Sequence, residues 1–181
     1  MKKIFTLLAL TISFSMNAQM DDNSHPSNNS AGTYSVAMGN GTAASGYAAT
    51  AMGYNTTASG NRSTAMGNGT AASGYAATAM GAGTTASGSY AVAMGGSSTA
   101  IGNYSTAMGG STTASGSRST AMGAGTTASA DYSTAMGEET TASGAIATAM
   151  GYNTIASDFA SVVIGQFNSS GSSATSANSF S

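Results

Sequence analysis

Apolar and polar positions along the chain repeat every fourteen residues, and the clearest mark of each repeat is a methionine between alanine and glycine. Ten copies follow one another without an insertion or deletion, which predicts that each repeat is one coil of a solenoid stacked on its neighbours. The marked position is held by Met38, Met52, Met66, Met80, Met94, Met108, Met122, Met136, Met150 and Ile164.

Most repeats contain two short segments that end in glycine, such as 37–39 and 44–46. We predict two short strands per coil, each closed by a glycine-containing turn, because glycine reaches positive φ without a steric penalty. A helix is disfavoured because each interior glycine would cost about 1 kcal/mol. The predicted fold class is therefore all-β, a parallel β-roll or solenoid of about ten coils of about fourteen residues.

Alternation within the strands predicts which columns of side chains face inward. Successive side chains of a strand point to opposite faces, so Ala37 and Met38 lie on opposite sides, as do Ala44 and Ser45. If the two alanine columns face each other, the interior is thin and filled by Ala, Ser and Thr, and the Met column points outward. The alternative is that Met fills the interior, because its side chain adapts to irregular cores.

An outward Met column has a consequence for assembly. Nine stacked methionines and Ile164 would form an apolar stripe larger than the few hundred Å2 that a soluble monomer usually exposes. We therefore predict that the ten residues of the column, from Met38 to Ile164, form an oligomer interface about an axis parallel to the stack.

Composition agrees with a thin solenoid and excludes several classes of protein. Only 6% of the 181 residues are charged, against roughly a quarter in ordinary domains, and the strict register argues against disorder. A formal net charge of −2 provides no basic face for nucleic acid.

The N-terminus reads as an export signal, because Lys2 and Lys3 precede an apolar run over 4–12 and a small-residue region. We predict a signal peptide at 1–18 with cleavage after Ala18, although Ser15 marks a rival site. The remaining divisions predicted are a linker at 19–31, the repeats at 32–167 and a Ser-rich tail at 168–181. No segment after residue 19 is apolar enough to span a membrane as a helix.

The repeats resemble the YadA-like head repeats of trimeric autotransporter adhesins, which carry a Ser-Val-Ala-Ile-Gly motif and a second Ala-x-Gly in fourteen residues. The segments 34–39 and 90–95 match with Met in the place of Ile, and 161–165 has Ile but replaces Ala. The resemblance implies a left-handed β-roll that forms a homotrimer through its aliphatic columns. It also implies an adhesive head outside a Gram-negative cell.

Members of that family usually continue into a coiled-coil stalk and a membrane barrel. The chain has no heptads of Leu or Ile with charged flanks. We therefore expect either release from the cell or anchoring through another protein.

Residues with catalytic or metal-binding chemistry are few. His25, the single histidine, lies in the predicted linker, and Glu138 and Glu139 would face opposite sides of a strand. Asp131 and Asp158 occupy positions typical of turns. We therefore predict no enzyme, no metal site and no cofactor.

A surface column four residues before the Met position is the candidate binding site for a protein or surface ligand, because Tyr and Arg are enriched in binding hot spots. The alternative without a binding role is a solvated turn that accepts many residue types. The candidate residues are Tyr34, Arg62, Tyr90, Tyr104, Arg118 and Tyr132.

A second column is rich in threonine and suggests an alternative function. A flat, uncharged array of hydroxyls and methyls resembles the surfaces of ice-binding proteins, although the strand propensity of Thr explains the column without any ligand. A passive structural spacer is the third alternative. The column contains Thr85, Thr99, Thr113, Thr127 and Thr141, with Ser87, Ser115, Ser129 and Ser143 on the same face.

Overall fold

The structure is a computed structural model that describes residues 30–170. The predicted signal peptide at 1–18 lies outside the described residues, as do most of the predicted linker at 19–31 and most of the Ser-rich tail at 168–181.

Each coil contributes one five-residue strand to a ten-stranded sheet, in which the strands follow one another in chain order. Every pair is parallel and offset by one repeat, so that Met38 lies beside Met52. These long strands are β1 (Val36–Asn40), β3 (Thr50–Tyr54), β5 (Thr64–Asn68), β7 (Thr78–Ala82), β9 (Val92–Gly96), β11 (Thr106–Gly110), β13 (Thr120–Ala124), β15 (Thr134–Glu138), β17 (Thr148–Tyr152) and β19 (Val162–Gln166).

A nine-stranded parallel sheet of two-residue strands forms the opposite wall of the solenoid. Its strands also pair with one repeat of offset, and the N–H of Ala43 donates to the carbonyl of Thr56 at 2.8 Å. These short strands are β2 (Ala43–Ala44), β4 (Thr57–Ala58), β6 (Ala71–Ala72), β8 (Thr85–Ala86), β10 (Thr99–Ala100), β12 (Thr113–Ala114), β14 (Thr127–Ala128), β16 (Thr141–Ala142) and β18 (Ile155–Ala156).

The predicted all-β solenoid is confirmed, with two strands per coil and no helix in residues 30–170. The predicted interior is confirmed as well, because Ala37 of the long strand and Ala44 of the short strand are fully buried. The other buried positions of a typical coil hold Thr or Ser at one corner, such as Thr42, and Gly followed three residues later by Ala or Ser at the other, such as Gly46 and Ala49. The interior is therefore one small side chain thick on each wall.

The glycine of the Ala-Met-Gly segment does not close a turn, contrary to the sequence prediction. Gly81 is the fourth residue of β7, with a φ of +125°, and an added Cβ would lie 2.0 Å from the carbonyl oxygen of Gly95. Glycine is therefore required here because the neighbouring coil leaves no space and because the backbone is left-handed. The same geometry recurs in the other long strands, for example at Gly53 and Gly137.

Most of the positive-φ turn positions carry residues other than glycine, which also differs from the prediction. Ala48 and Asn55 have φ values of 52° and 50° in the two turns of one coil. The N–H of Ala48 donates to the carbonyl of Thr33, and that of Asn55 to the carbonyl of Asn40, each at 2.8 Å. These hydrogen bonds to the preceding coil hold the turn in a conformation that an isolated residue would avoid.

Candidate functional site

The outer surface of the ten-stranded sheet carries the Met column, as the strand parity predicted. Met38, Met52 and Met94 are 44%, 36% and 37% exposed in the single chain, and the other six methionines of the column are half-buried. A second outward column of Thr and Val lies two residues before the methionines, at Val36 and its equivalents. We call the two columns together the Met face.

The Met face is regular because every long strand places its methionine directly beside the methionine of the next. The final coil keeps an apolar residue there, since Ile164 pairs with Met150 and is 60% exposed. The described chain thus presents an uninterrupted apolar stripe along its full length. Such stripes mark interaction surfaces in soluble proteins.

The predicted Tyr and Arg residues lie in the turns that immediately precede the long strands. All six have φ values between 57° and 60°, so their side chains leave the solenoid in the same direction. The backbone N–H of each stacked turn residue donates to the preceding coil, as Tyr104 does to the carbonyl of Ser89 at 2.8 Å. The turns therefore hold this row of side chains in a fixed orientation.

Five of these residues and one unpredicted neighbour form a continuous row that we call the Tyr–Arg ridge. In its first half, the guanidinium carbon of Arg62 lies 5.6 Å from the ring centroid of Tyr75, and Arg62 Nη1 donates to the hydroxyl of Tyr75. The rings of Tyr75 and Tyr90 meet edge to face at 5.4 Å. The ridge consists of Arg62, Tyr75, Tyr90, Tyr104, Arg118 and Tyr132.

The second half of the ridge continues without a gap. The rings of Tyr90 and Tyr104 stack with their centroids 5.0 Å apart and their planes 6° from parallel. The guanidinium of Arg118 lies 5.3 Å from the ring centroids of both Tyr104 and Tyr132, and its Nη1 donates to the Tyr132 hydroxyl at 2.8 Å. Because the ring faces contact one another, the ridge presents ring edges, hydroxyls and guanidinium groups to solvent.

The sequence prediction missed Tyr75, which joins Arg62 to the stacked pair. It lies one turn position earlier than the predicted column, and the same position holds Tyr47, whose ring meets that of Tyr34 at 5.6 Å. Tyr34 is thus placed with Tyr47 at the N-terminal end, separate from the ridge. The signal available in the sequence was a Gly-Tyr pair in two repeats, which marks a neighbouring aromatic turn position.

Charge is distributed unevenly between the ridge and the rest of the described chain. Arg62 and Arg118 are the only Lys or Arg residues within 30–170, and both belong to the ridge. The carboxylates of the same range all occur at or beyond Asp131, at Asp131, Glu138, Glu139 and Asp158. The positively charged side chains of residues 30–170 therefore lie on the ridge, at Arg62 and Arg118.

The residues considered for catalysis are not brought together. Asp131 Oδ1 accepts a hydrogen bond from the N–H of Ser117 at 2.9 Å, which gives this carboxylate a structural role in its turn. Glu138 ends β15, Glu139 follows in the turn, and His25 lies outside the described residues. Residues 30–170 contain no group of three His, Cys, Asp or Glu side chains arranged to hold a metal ion.

The threonine column predicted on the other wall occupies the outer surface of the short strands. Thr85, Thr99 and Thr113 pair in register and are half-buried, and the column continues to Thr141 before Ile155 replaces it.

No helix within the described part of the chain is both long enough and apolar enough to cross a membrane.

Comparison with known families yields one match. The family described as YadA head domain repeat (2 copies) matches residues 44–70, 72–98, 100–126 and 128–154, which together form more than half of the chain. Each match spans two coils, so the family repeat and the structural repeat have the same period. No curated protein matches the chain.

Proposed function

The chain belongs to the YadA head repeat family, and from that premise we propose that it is the adhesive head of an exported, homotrimeric cell-surface protein without enzymatic activity. The observation that carries this proposal is the pairing of a family-type solenoid with an apolar Met face along its whole length. The Met face provides a surface for self-association, and the Tyr–Arg ridge provides a surface for the adhesive contact.

Trimerisation through the Met face is favoured by the geometry of the column. Its residues from Met38 to Ile164 share one outward direction and one register, so three copies can meet along an axis parallel to the stack. Such an arrangement withdraws the whole apolar stripe from water, which is the main driving force in most protein association.

The native mass of the exported chain tests the assembly directly. Light scattering coupled to size-exclusion chromatography should give three chain masses at micromolar concentration. A single-chain mass at that concentration would contradict the proposed trimer.

The Tyr–Arg ridge is proposed as the adhesive contact because it lies on the exposed turn edge that precedes the long strands and carries aromatic and cationic side chains. Tyr90 and Tyr104 are 47% and 53% exposed, and rigid aromatic side chains lose little entropy when they bind. The ligand proposed is a protein or surface with acceptor groups, since the exposed groups of the ridge are phenol hydroxyls and the guanidinium groups of Arg62 and Arg118.

Adhesion of matched variants tests the ridge. The chain and a Tyr90→Ala/Tyr104→Ala variant would be compared for retention on immobilised matrix protein and on glass, with Thr99→Ala/Thr113→Ala as the control on the opposite wall. We expect the ridge variant to lose most of its retention and the control to keep it. Equal retention of all three chains would refute the ridge as the contact.

Export is proposed to proceed through the signal peptide at 1–18. Expression in a Gram-negative host followed by N-terminal sequencing of the exported chain should identify Gln19 as the first residue. Retention of Lys2 and Lys3 in the exported chain would contradict the proposed cleavage.

Ice binding is a second candidate function, favoured by the in-register column from Thr85 to Thr141. A thermal hysteresis measurement on the purified chain distinguishes it from adhesion. A freezing-point depression abolished by Thr113→Tyr and unaffected by Tyr104→Ala would favour the ice-binding alternative.

A further inference from the structure

The Met face carries a chemical property that an aliphatic interface would lack. Nine of the ten residues in its Met column carry a thioether, whereas Ile164 shows that a saturated side chain fits the same place in the last coil. The chain contains no cysteine, so methionine is its most readily oxidised type of side chain. Met38, Met52 and Met94 are each more than a third exposed in the single chain.

We infer that the Met face is a modification site for peroxides and that its oxidation controls assembly of the trimer. The inference rests on the proposed function, because it takes the Met face as the interface between copies. Each step consumes one molecule of hydrogen peroxide. The thioether sulfur attacks one oxygen and is oxidised by two electrons, the O–O bond breaks as the S–O bond forms, and the departing hydroxide takes the remaining proton and leaves as water.

The product has a different effect at an interface from that of the thioether. A sulfoxide is polar and accepts hydrogen bonds, and an acceptor buried without a donor is unfavourable. The outward residues near each methionine, such as Val36 and Thr106, provide an aliphatic side chain in some coils and one hydroxyl in others. Because every coil from Met38 to Met150 adds one sulfoxide, the unfavourable contributions accumulate along the stack.

The unassembled chain is the form in which the column reacts most readily. In the trimer the column is proposed to lie between copies, whereas in the single chain its methionines are partly open to solvent. Peroxide would therefore oxidise the methionines of chains that have not yet assembled or that have dissociated. Oxidation would then shift the equilibrium towards single chains by mass action.

The experiment compares the chain with a variant in which the nine column methionines are replaced by isoleucine, the residue of the last coil. Both proteins are incubated with hydrogen peroxide, the oxidised positions are mapped by peptide mass spectrometry, and native masses are measured by light scattering over a dilution series. A smaller variant, Met94→Ile/Met108→Ile/Met122→Ile, serves if the complete replacement does not fold. Methionine sulfoxide reductases are then added to reverse the modification.

Oxidation of the column should raise the concentration at which half of the chains are trimeric by at least about 100-fold. Reductase treatment should restore the trimer, the nine-fold Ile variant should keep its trimer in peroxide, and the three-fold variant should show a smaller shift than the original chain. A trimer whose mass is unchanged after the column is oxidised, or whose column resists oxidation while Met20 reacts, would overturn the inference and leave the proposed trimer intact. A single-chain mass before peroxide would instead overturn the proposed trimer, and the inference with it.

Discussion

Gly81 shows, at the scale of a single residue, how close neighbouring coils lie. It has a φ of +125°, and a Cβ at this position would meet the carbonyl of Gly95 at 2.0 Å. Gly96 ends β9 in a position where an added Cβ has no atom within 4 Å. Position 81 therefore has no space for a Cβ, whereas position 96 has.

We expect Gly81→Ala to lower the free energy of unfolding by at least about 3 kcal/mol, because the methyl group clashes with backbone and the φ is unfavourable for alanine. Gly96→Ala is the control and should change it by less than about 0.5 kcal/mol, since Ala82 and Ala124 occupy the equivalent position in other coils. Urea unfolding followed by circular dichroism measures both. A Gly81→Ala chain as stable as the control would contradict the proposed contact between coils.

Buried hydroxyls are the second constraint at this scale. Thr112 Oγ1 donates to Ser98 Oγ at 3.0 Å, and Ser98 Oγ donates to the carbonyl of Gly109 at 2.9 Å. In six other described coils the corresponding hydroxyl is buried without a hydrogen-bond partner, as at Thr84. The same residue type at the same corner therefore has two different energetic roles.

Thr84→Val should raise the free energy of unfolding by about 1 kcal/mol, because it removes an unpaired buried hydroxyl with little change in shape. Thr112→Val should lower it by about 1 kcal/mol, because a buried hydrogen bond is lost. Thermal unfolding of the two variants under identical conditions gives the comparison. Shifts of the same sign and size would mean that hydrogen bonding at this corner does not determine stability.

The Tyr–Arg ridge is a property of the element, because it arises from turns that repeat at one edge of the solenoid. Tyr104 contacts both the ring of Tyr90 and the guanidinium of Arg118. Ala48 and Ala76 occupy the same turn position with φ values of 52° and 51°, so alanine is compatible with this backbone.

Tyr104→Ala should lower the free energy of unfolding by about 1–2 kcal/mol, because one stacked ring pair and one cation–π contact are lost. The loss should exceed that of Tyr54→Ala, because Tyr54 is the last residue of β3 and makes no ring contact within the described chain. Chemical unfolding monitored by tyrosine fluorescence measures the two variants. Equal losses would show that the ridge contacts add nothing beyond the burial of each ring.

At the scale of the whole molecule, the two walls of the solenoid differ in what they expose. Met94 lies on the apolar Met face, and Ser115 lies on the outer surface beside the short strand β12. A charge on the first wall must lose its hydration if copies associate there, whereas a charge on the second wall remains in water.

Met94→Glu should therefore dissociate the proposed trimer, because the carboxylate would be buried without a charged partner. Ser115→Glu should leave the native mass unchanged. Size-exclusion chromatography with light scattering detects either change at micromolar concentration. Dissociation by Ser115→Glu but not by Met94→Glu would mean that the interface lies on the wall of short strands and not on the Met face.

The sequence determined the period, the fold class and the assignment of faces, because a parallel stack with a fixed register repeats any residue preference in every coil. Met38 and Ala37 could be assigned to opposite sides from strand parity alone. The same register identified the turn column of Tyr104 and Arg118. Each of these inferences depends on local geometry that recurs in every coil.

Only the tertiary structure decided at which positions glycine is required and which aromatic side chains contact each other. Glycine is required at position 81 because a Cβ there would clash with the carbonyl of Gly95 in the next coil, a residue one complete repeat away in the sequence. Tyr75 reaches Tyr90 across two different turn positions in neighbouring coils. Periodicity alone could not show either contact, because both depend on distances between atoms of adjacent coils.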